Sequence, residues 1–151
     1  MLTKLYAEGW SESRCVEPAE FIGEFAVAGI VPHETGISFL RSFHGISIPC
    51  LSIDSLRGQF CVQDAVFWCD ARDITGWNSF LGKQFCPIGT TLTEVLLLDV
   101  NGACAVVSKA LDNYLLLTSL DAMLSFLLFD DRGESELIWL SDQEVCDITG
   151  E

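Results

Sequence analysis

Thiols and imidazoles are the residues of this chain best suited to chemistry. The sequence has seven cysteines and two histidines, His33 and His44. A cysteine can act as a nucleophile beside a histidine, but nearby positive charge must first lower the thiol pKa. With 8 Lys and Arg against 22 Asp and Glu, the chain is short of cations for that purpose. The sequence therefore predicts no enzymatic activity.

Metal and phosphate binding are not predicted either. No cysteine or histidine spacing suits zinc, and glycine-rich phosphate loops are missing. Asp99-Val100-Asn101-Gly102 begins like a calcium loop, but the further ligands and the terminal glutamate are missing. His33 and His44 fall at the start and the end of a predicted helix, where capping and surface roles are common. We expect no cofactor and no metal.

The cysteines also indicate a compartment. Their number is odd, no CxxC occurs, and most have apolar neighbours, which is typical of reduced thiols in a cytosolic protein. The first ten residues lack a basic start followed by an apolar run, so no secretory signal is expected. The most apolar stretch, residues 114–129, contains Thr118, Ser119, Asp121 and Ser125 and is too polar and too short to span a membrane. The sequence predicts a cytoplasmic protein.

The charge of the chain indicates which class of partner it binds. Its formal net charge is -14, which disfavours nucleic acid as a ligand and favours fast, electrostatically steered encounter with a cationic protein. Acidic residues occur throughout the sequence. We therefore expect a basic protein partner.

Helix signals dominate the first half. An apolar face with Phe21 and Phe25 follows Pro18 and ends at Gly29, and a second face with Leu40 and Phe43 ends at His44-Gly45. A third helix is predicted over residues 64–82, where Ile74, Trp77 and Leu81 recur at helical spacing. A closing helix over residues 120–129 follows Thr118 and Asp121, which resemble a capping box.

Strand signals occupy the middle of the chain, over residues 48–53, 59–62, 92–100, 103–108 and 114–117. Asn101-Gly102 accepts the two positive φ values of a type I′ hairpin turn. Helices and strands do not alternate, which favours an α+β fold. We expect a single domain with a mostly antiparallel or mixed sheet, and with N-terminal helices and the C-terminal helix packed on one face.

The composition changes after residue 129. Residues 130–151 are rich in acidic side chains and contain one basic residue, Arg132. We divide the chain into a domain over residues 1–129 and an acidic C-terminal tail over residues 130–151. The apolar segment Leu137–Leu140 within the tail contains Trp139. It either packs back on the domain or serves as an interaction segment for a partner or a second copy.

Four short motifs occur in order: Gly9-Trp10-Ser11-Glu12-Ser13-Arg14, Phe39-Leu40-Arg41-Ser42-Phe43-His44-Gly45-Ile46, Pro87-Ile88-Gly89 and Leu98-Asp99-Val100-Asn101-Gly102. Together they resemble the third group of the SUKH superfamily of bacterial immunity proteins, over residues 5–129. His44 departs from that pattern, which has paired glycines there. The residues that carry the resemblance are Gly9, Trp10, Arg14, Gly45, Pro87, Gly89, Asn101 and Gly102.

The resemblance implies an α+β domain that binds and neutralises a toxin, often a nuclease, so that the producing cell survives. Because a nuclease must hold phosphate and is commonly basic, an acidic inhibitor can cover its cleft without chemistry of its own. The predicted mechanism is stoichiometric blocking of a basic toxin domain. The alternative is an intracellular adaptor, since the wider superfamily also contains regulatory interaction modules.

Partner-binding residues are predicted where an aromatic side chain lies among carboxylates, because such anchors make hot spots. Asp64, Trp68, Asp70 and Asp73 form the first candidate, with Asp130 and Asp131 in the tail as the second. The alternative for the first group is a set of solvated carboxylates favoured by the dipole of a helix start, and the alternative for the second is a solvated chain end. Trp10 and Arg14 form either a stacked recognition pair or a structural turn between helices.

Overall fold

An antiparallel sheet organises the fold. The computed structural model describes residues 1–51 and 56–151, and in them the sheet has seven strands in chain order, each paired with the next. The strands are β1 Ser47–Cys50, β2 Leu56–Gln59, β3 Phe85–Thr90, β4 Glu94–Asp99, β5 Cys104–Ser108, β6 Asn113–Leu117 and β7 Leu137–Trp139. The predicted α+β class is confirmed.

Helices precede, interrupt and follow the strands. They are α1 Leu2–Ala7, α2 Ile22–Ala28, α3 Glu34–Phe43, α4 Val62–Trp68, α5 Ala71–Leu81, α6 Leu120–Phe129 and α7 Asp142–Thr149, with a 3-10 turn at Pro18–Glu20. Gly29 ends α2 in the left-handed conformation, as the sequence indicates. The helix α6 buries most of its apolar side chains, in keeping with its composition.

Helices lie against both faces of the sheet. Val95, Val107 and Tyr114 stand side by side across three strands, and Trp77 of α5 packs edge-on against Tyr114 with ring centroids 5.6 Å apart. Cys86 and Leu98 point to the opposite face, where α3 passes so close that a Cβ at Gly36 would lie 2.8 Å from Cys86 Sγ. The sequence predicts helices on one face, and in the structure α5 lies on the other. The unbroken apolar run in β4 reflects this burial on both sides.

Several elements of the structure differ from the predicted ones in their bounds or their number. The second strand was predicted over residues 59–62, but β2 ends at Gln59 and Val62 opens α4. The single helix predicted over residues 64–82 is two helices, because Asp70 begins a new one. The strand β3 was not predicted, and the last residues of the predicted strand 48–53 lie outside the described residues.

Two local predictions were wrong in detail. Gly102 has φ +90° but Asn101 does not have a positive φ, and the Asp99 N–H donates to Ala103 O at 2.7 Å. The loop is therefore residues 100–102 closed by a left-handed glycine, and not a type I′ turn. Ser119, rather than Thr118, caps α6: its hydroxyl accepts the Ala122 N–H at 3.1 Å.

Residues 137–149 pack on the rest of the chain. The strand β7 pairs with β6, with Ile138 opposite Tyr114, and α7 lies against α5. Ile148 of α7 is 2% exposed. This segment extends the sheet by one strand and covers α5.

Candidate protein-interaction surface

Two aromatic side chains project from the end of α4. This helix buries Val62 and Ala65 on one face, so the residues at its end turn outward: Phe67 is 79% exposed and Trp68 50% exposed. The rings meet edge to face with centroids 5.4 Å apart. Because the two rings adjoin, they form a contiguous exposed apolar patch, and such patches can mark interaction sites.

Lys109, after β5, lies over the face of Trp68. Its ammonium is 4.7 Å from the ring centroid and donates to Thr91 O at 2.7 Å and Leu92 O at 3.0 Å. Burial lowers the pKa of Lys109, while the carboxylates of Glu94 and Asp64 act in the opposite direction. These contacts fix one face of the indole and leave the rest of the ring exposed.

Carboxylates surround these aromatic rings. A cavity of about 420 Å³ is lined by Trp68, Leu92, Glu94 and Asp112 among others, and an adjoining one of about 360 Å³ includes Asp64 and Phe67. Leu92 is 62% exposed. We call this region the Trp68 surface and define it by Asp64, Phe67, Trp68, Leu92, Glu94, Lys109 and Asp112.

Little positive charge offsets these carboxylates, since Lys109 supplies one ammonium against Asp64, Glu94 and Asp112. Arg57 lines the second cavity, but its guanidinium is paired with Glu8. Within residues 1–51 and 56–151, this is the one ion pair between a basic side chain and a carboxylate. The Trp68 surface is therefore apolar at its centre and acidic around it, which is the arrangement of a protein-binding hot spot.

Asp70 and Asp73 support the main chain of α5. They form a capping box: Asp70 Oδ1 accepts the N–H groups of Arg72 at 2.8 Å and Asp73 at 3.1 Å, and Asp73 Oδ2 accepts the Asp70 N–H at 3.0 Å. Burial raises the pKa of Asp73, and the Asp70 N–H works against that shift. Asp73 also lines a small cavity beside Trp68 and Lys109. Both carboxylates are thus engaged in starting a helix.

Asp130 and Asp131 lie at the end of α6. Asp130 ends this helix with φ +54°, and Asp131 Oδ1 accepts the Gly133 N–H at 2.9 Å. Asp131 lines a separate cavity of about 460 Å³ with Leu116, Arg132 and Glu134. The structure therefore brings Asp64 and Asp73 close to Trp68 and places Asp131 in a different cavity.

The first motif joins the N-terminal segment to the end of α3. The Arg14 guanidinium donates to His44 O at 2.7 Å, and the Trp10 ring stacks on Phe43 with centroids 5.6 Å apart. Gly45 has φ +83°, and its N–H donates to Phe60 O at 2.8 Å. Trp10 thus contacts α3, and Arg14 contacts His44, the residue that ends it. These contacts attach the N-terminal segment to the end of α3.

The remaining motif residues shape loops and strand crossings. Gly9 lies just after α1 with φ +89°, and the β3–β4 register shifts between Pro87 and Gly89. A Cβ at Gly89 would lie 2.3 Å from Gln59 O, so only glycine lets β2 approach β3. In the last motif the buried Asp99 carboxylate accepts the N–H groups of Gln84 at 2.7 Å and Asn101 at 3.1 Å.

The buried thiols and the imidazole of His33 are part of the packed structure. Burial raises the pKa of Cys50 to about 11 and those of Cys86 and Cys104 to about 12, which keeps these thiols protonated near neutral pH. His33 caps α3: its Nδ1 accepts the Gly36 N–H at 3.0 Å, so Nε2 carries the proton and donates to Leu98 O at 3.0 Å. Among the described residues no group of three or more His, Cys, Asp or Glu is arranged to hold a metal ion.

Part of the Trp68 surface was missed by sequence reasoning. Five of its residues were not singled out: Phe67, Leu92, Glu94, Lys109 and Asp112. Leu92 and Lys109 reach Trp68 from distant parts of the chain. The signal for Phe67 was available: it adjoins Trp68 and falls off the apolar face of its helix.

Comparison with protein-family models, with curated proteins and with solved structures gives no match to this chain. In the part of the chain that the structure describes, no helix combines the length and the apolar character needed to cross a membrane.

Proposed function

We propose that this protein is an immunity protein that binds a basic, nuclease-type bacterial toxin domain and neutralises it by stoichiometric blocking. The observation that carries the proposal is the Trp68 surface, an exposed aromatic centre ringed by carboxylates on a chain of net charge -14. The resemblance of the four motifs to SUKH immunity proteins is the reason for proposing a toxin as this partner. We place the protein in the cytoplasm, in keeping with its unpaired thiols.

Charge and apolar area would act at different stages of binding. Long-range attraction to a basic domain accelerates encounter by orders of magnitude at low salt and weakens as salt screens the charges. Buried aromatic anchors then slow dissociation. Phe67, Trp68 and Leu92 are the anchors in this scheme, and Asp64, Glu94 and Asp112 provide the local negative charge.

Blocking requires no catalytic group on the inhibitor. A nuclease cleft binds a polyanion, so a rigid acidic surface can occupy it in competition with the nucleic acid. The Trp68 surface stays acidic overall because three carboxylates outnumber the one ammonium of Lys109, which is held by the Thr91 and Leu92 carbonyls and the Trp68 ring. The indole is thereby held in one orientation before the partner arrives, which reduces the entropy lost on binding.

The test is co-expression of this chain with the nuclease domain of any toxin gene that neighbours its own gene, followed by affinity capture and a salt series. We expect a one-to-one complex that weakens as salt rises, a toxin that is inactive within it, and loss of capture with Trp68→Ala. Tyr6→Ala is the matched control, since Tyr6 is a comparably exposed aromatic residue on α1.

Two results would contradict the proposal. Failure to retain the toxin domain would exclude it as the partner of this protein. A captured toxin that stays fully active would indicate an adaptor, which is the second function that the SUKH resemblance implies.

A further inference from the structure

The strand β7 is an open edge of the sheet. It pairs with β6 on one side, and among the described residues no strand pairs with its other side. The opposite edge is different, because α6 contacts β1 and the Leu51 N–H donates to Leu127 O at 3.0 Å. Open edges present unpaired main-chain groups that another chain can use.

The register shows which main-chain groups of β7 point outward. Leu140 N–H donates to Asp112 O at 2.9 Å, and Trp139 stands opposite Asn113. In an antiparallel ladder this makes Asn113 and Trp139 a non-hydrogen-bonded pair and Tyr114 and Ile138 a hydrogen-bonded pair. The N–H and C=O groups of Leu137 and Trp139 therefore face away from β6.

The side chains of this edge are also accessible. Trp139 is 65% exposed and Ile138 38% exposed. The flanking carboxylates of Glu134, Glu136 and Asp142 are all exposed. A docked strand would thus meet free hydrogen-bonding groups, an aromatic side chain and negative charge at both ends.

We propose that β7 receives an extended basic segment of the partner as an added strand of the sheet. This inference rests on the proposed function for the basic character of the partner, and it adds the mode of recognition. Outward N–H and C=O groups provide main-chain pairing, while flanking carboxylates select lysine and arginine in the bound segment.

Charge disfavours a second copy of this chain as the occupant. The exposed carboxylates of Glu134, Glu136 and Asp142 flank β7 in each copy, so pairing of two β7 edges would bring three carboxylates from each chain to one contact. Crowding of like charges is destabilising, and in a two-fold dimer each contact occurs twice. A basic segment converts the same carboxylates into attractive contacts.

The edge is continuous with the Trp68 surface. Asn113 lines the cavity beside Trp68 and stands opposite Trp139 in the register. At the other end of β7, β6 continues through Leu116, which lines the cavity that contains Asp131 and Glu134. A single basic segment along β7 would therefore reach both groups of carboxylates.

The test uses a synthetic nonapeptide of alternating lysine and valine, with blocked ends, as the probe. We expect it to protect the Leu137 and Trp139 amides from hydrogen exchange. Binding should fall at least tenfold when the probe is N-methylated at alternate residues, because this removes main-chain donors and keeps the charge. Replacing its lysines with glutamate should abolish binding.

Trp139→Pro and Trp139→Ala form a matched pair of variants. Both remove the indole, but only proline removes the outward N–H, and neither removes a hydrogen bond to β6. We expect Trp139→Pro to bind the probe at least tenfold more weakly than Trp139→Ala, with unchanged circular dichroism.

Equal binding by the two variants, undiminished binding of the N-methylated peptide, or unprotected amides at Leu137 and Trp139 would overturn the inference. So would a dimer that Trp139→Pro disrupts, because the occupant would then be a second copy. If the protein neutralises the toxin but fails these tests, strand addition at β7 is refuted and the proposed function stands. If the probe pairs with β7 but the protein leaves the toxin active, the proposed function is refuted and strand addition at β7 stands.

Discussion

Gly76 of α5 lies directly against the main chain of Ile148 in α7. A Cβ added at Gly76 would be 1.8 Å from the Ile148 carbonyl oxygen and 2.7 Å from its carbon. The two helices can pack at this distance only because Gly76 has no side chain. This contact, with the burial of Ile148, fixes the C-terminal helix on the domain.

Gly76→Ala should separate these helices. Although alanine favours helix, the overpacking against main-chain atoms should lower the free energy of unfolding by about 1–3 kcal/mol, as measured by urea denaturation. The control is Gly23→Ala in α2, where a Cβ meets nothing within 4 Å, and this change should raise stability by about 0.5–1 kcal/mol. Equal effects of the two substitutions would mean that α7 does not pack as described.

Trp68→Ala should weaken the toxin complex by about 2 kcal/mol or more, through faster dissociation, because a central aromatic anchor is lost. Surface plasmon resonance would measure the two rate constants. A loss confined to the association rate would be inconsistent with an anchor role.

Asp64→Asn should instead slow association and reduce its dependence on salt, since the carboxylate acts at long range. Asp121→Asn, which makes the same charge change at an exposed position on α6, is the control. Stopped-flow association at several salt concentrations would distinguish them. If both variants slow association equally, the effect is one of net charge and not of the Trp68 surface.

Asp70→Ala should lower the free energy of unfolding by about 1 kcal/mol, because the first N–H groups of α5 lose their acceptor. Asp70→Asn is the matched control, since asparagine caps a helix nearly as well. Thermal unfolding would compare the two. A destabilisation shared by both variants would indicate that the charge, and not the cap, is what matters.

Cys15 should be the first thiol to react when the folded protein is alkylated. It is exposed, whereas Cys50, Cys69, Cys86 and Cys104 are buried, and burial raises the pKa of each of these four. Timed alkylation near neutral pH with mass spectrometry would follow each site. Cys15→Ser should remove the fast phase, and rapid labelling of a buried site would contradict the packing.

Stability should fall as the pH drops through the range where histidine titrates. Burial is the main cause that lowers the pKa of His44 in the folded chain; Arg14 lowers it further, while Glu20 acts in the opposite direction. Below the unfolded value of about 6.5 the unfolded chain binds more protons than the folded chain, so protonation favours unfolding.

His44→Gln should flatten that dependence. Urea denaturation between about pH 7.5 and pH 5.5 would measure it, because the carboxylates titrate mainly below this range. A slope that is the same in the variant would assign the effect to another group.

The sequence predicted elements best where local signals and packing agree. Gly29 and Gly45 mark the ends of α2 and α3, and the turn that contains Gly102 joins β4 to β5. The strand β3 was missed because Pro87 and Gly89 normally disfavour strands. In the fold, Gly89 is needed for the approach of β2, which is a tertiary requirement invisible to local pattern.

The candidate site was predictable only where one helix supplies it. Trp68 and Asp64 lie on α4 and could be paired from sequence. Lys109 and Leu92 come from loops at the end of the sheet, and their meeting with Trp68 depends on the strand order. Asp70 and Asp73 look like partner-binding carboxylates in the sequence because a capping box and an acidic patch have similar composition.

The simple order of the sheet bears on how the chain folds during translation. Since each strand pairs with its immediate predecessor, the sheet can be laid down step by step as the ribosome delivers it. One edge of β6 then stays unpaired while residues 118–136 are synthesised, until β7 pairs with it. During that interval the edge of β6 is open to mispairing, and pairing with Leu137–Trp139 then covers it.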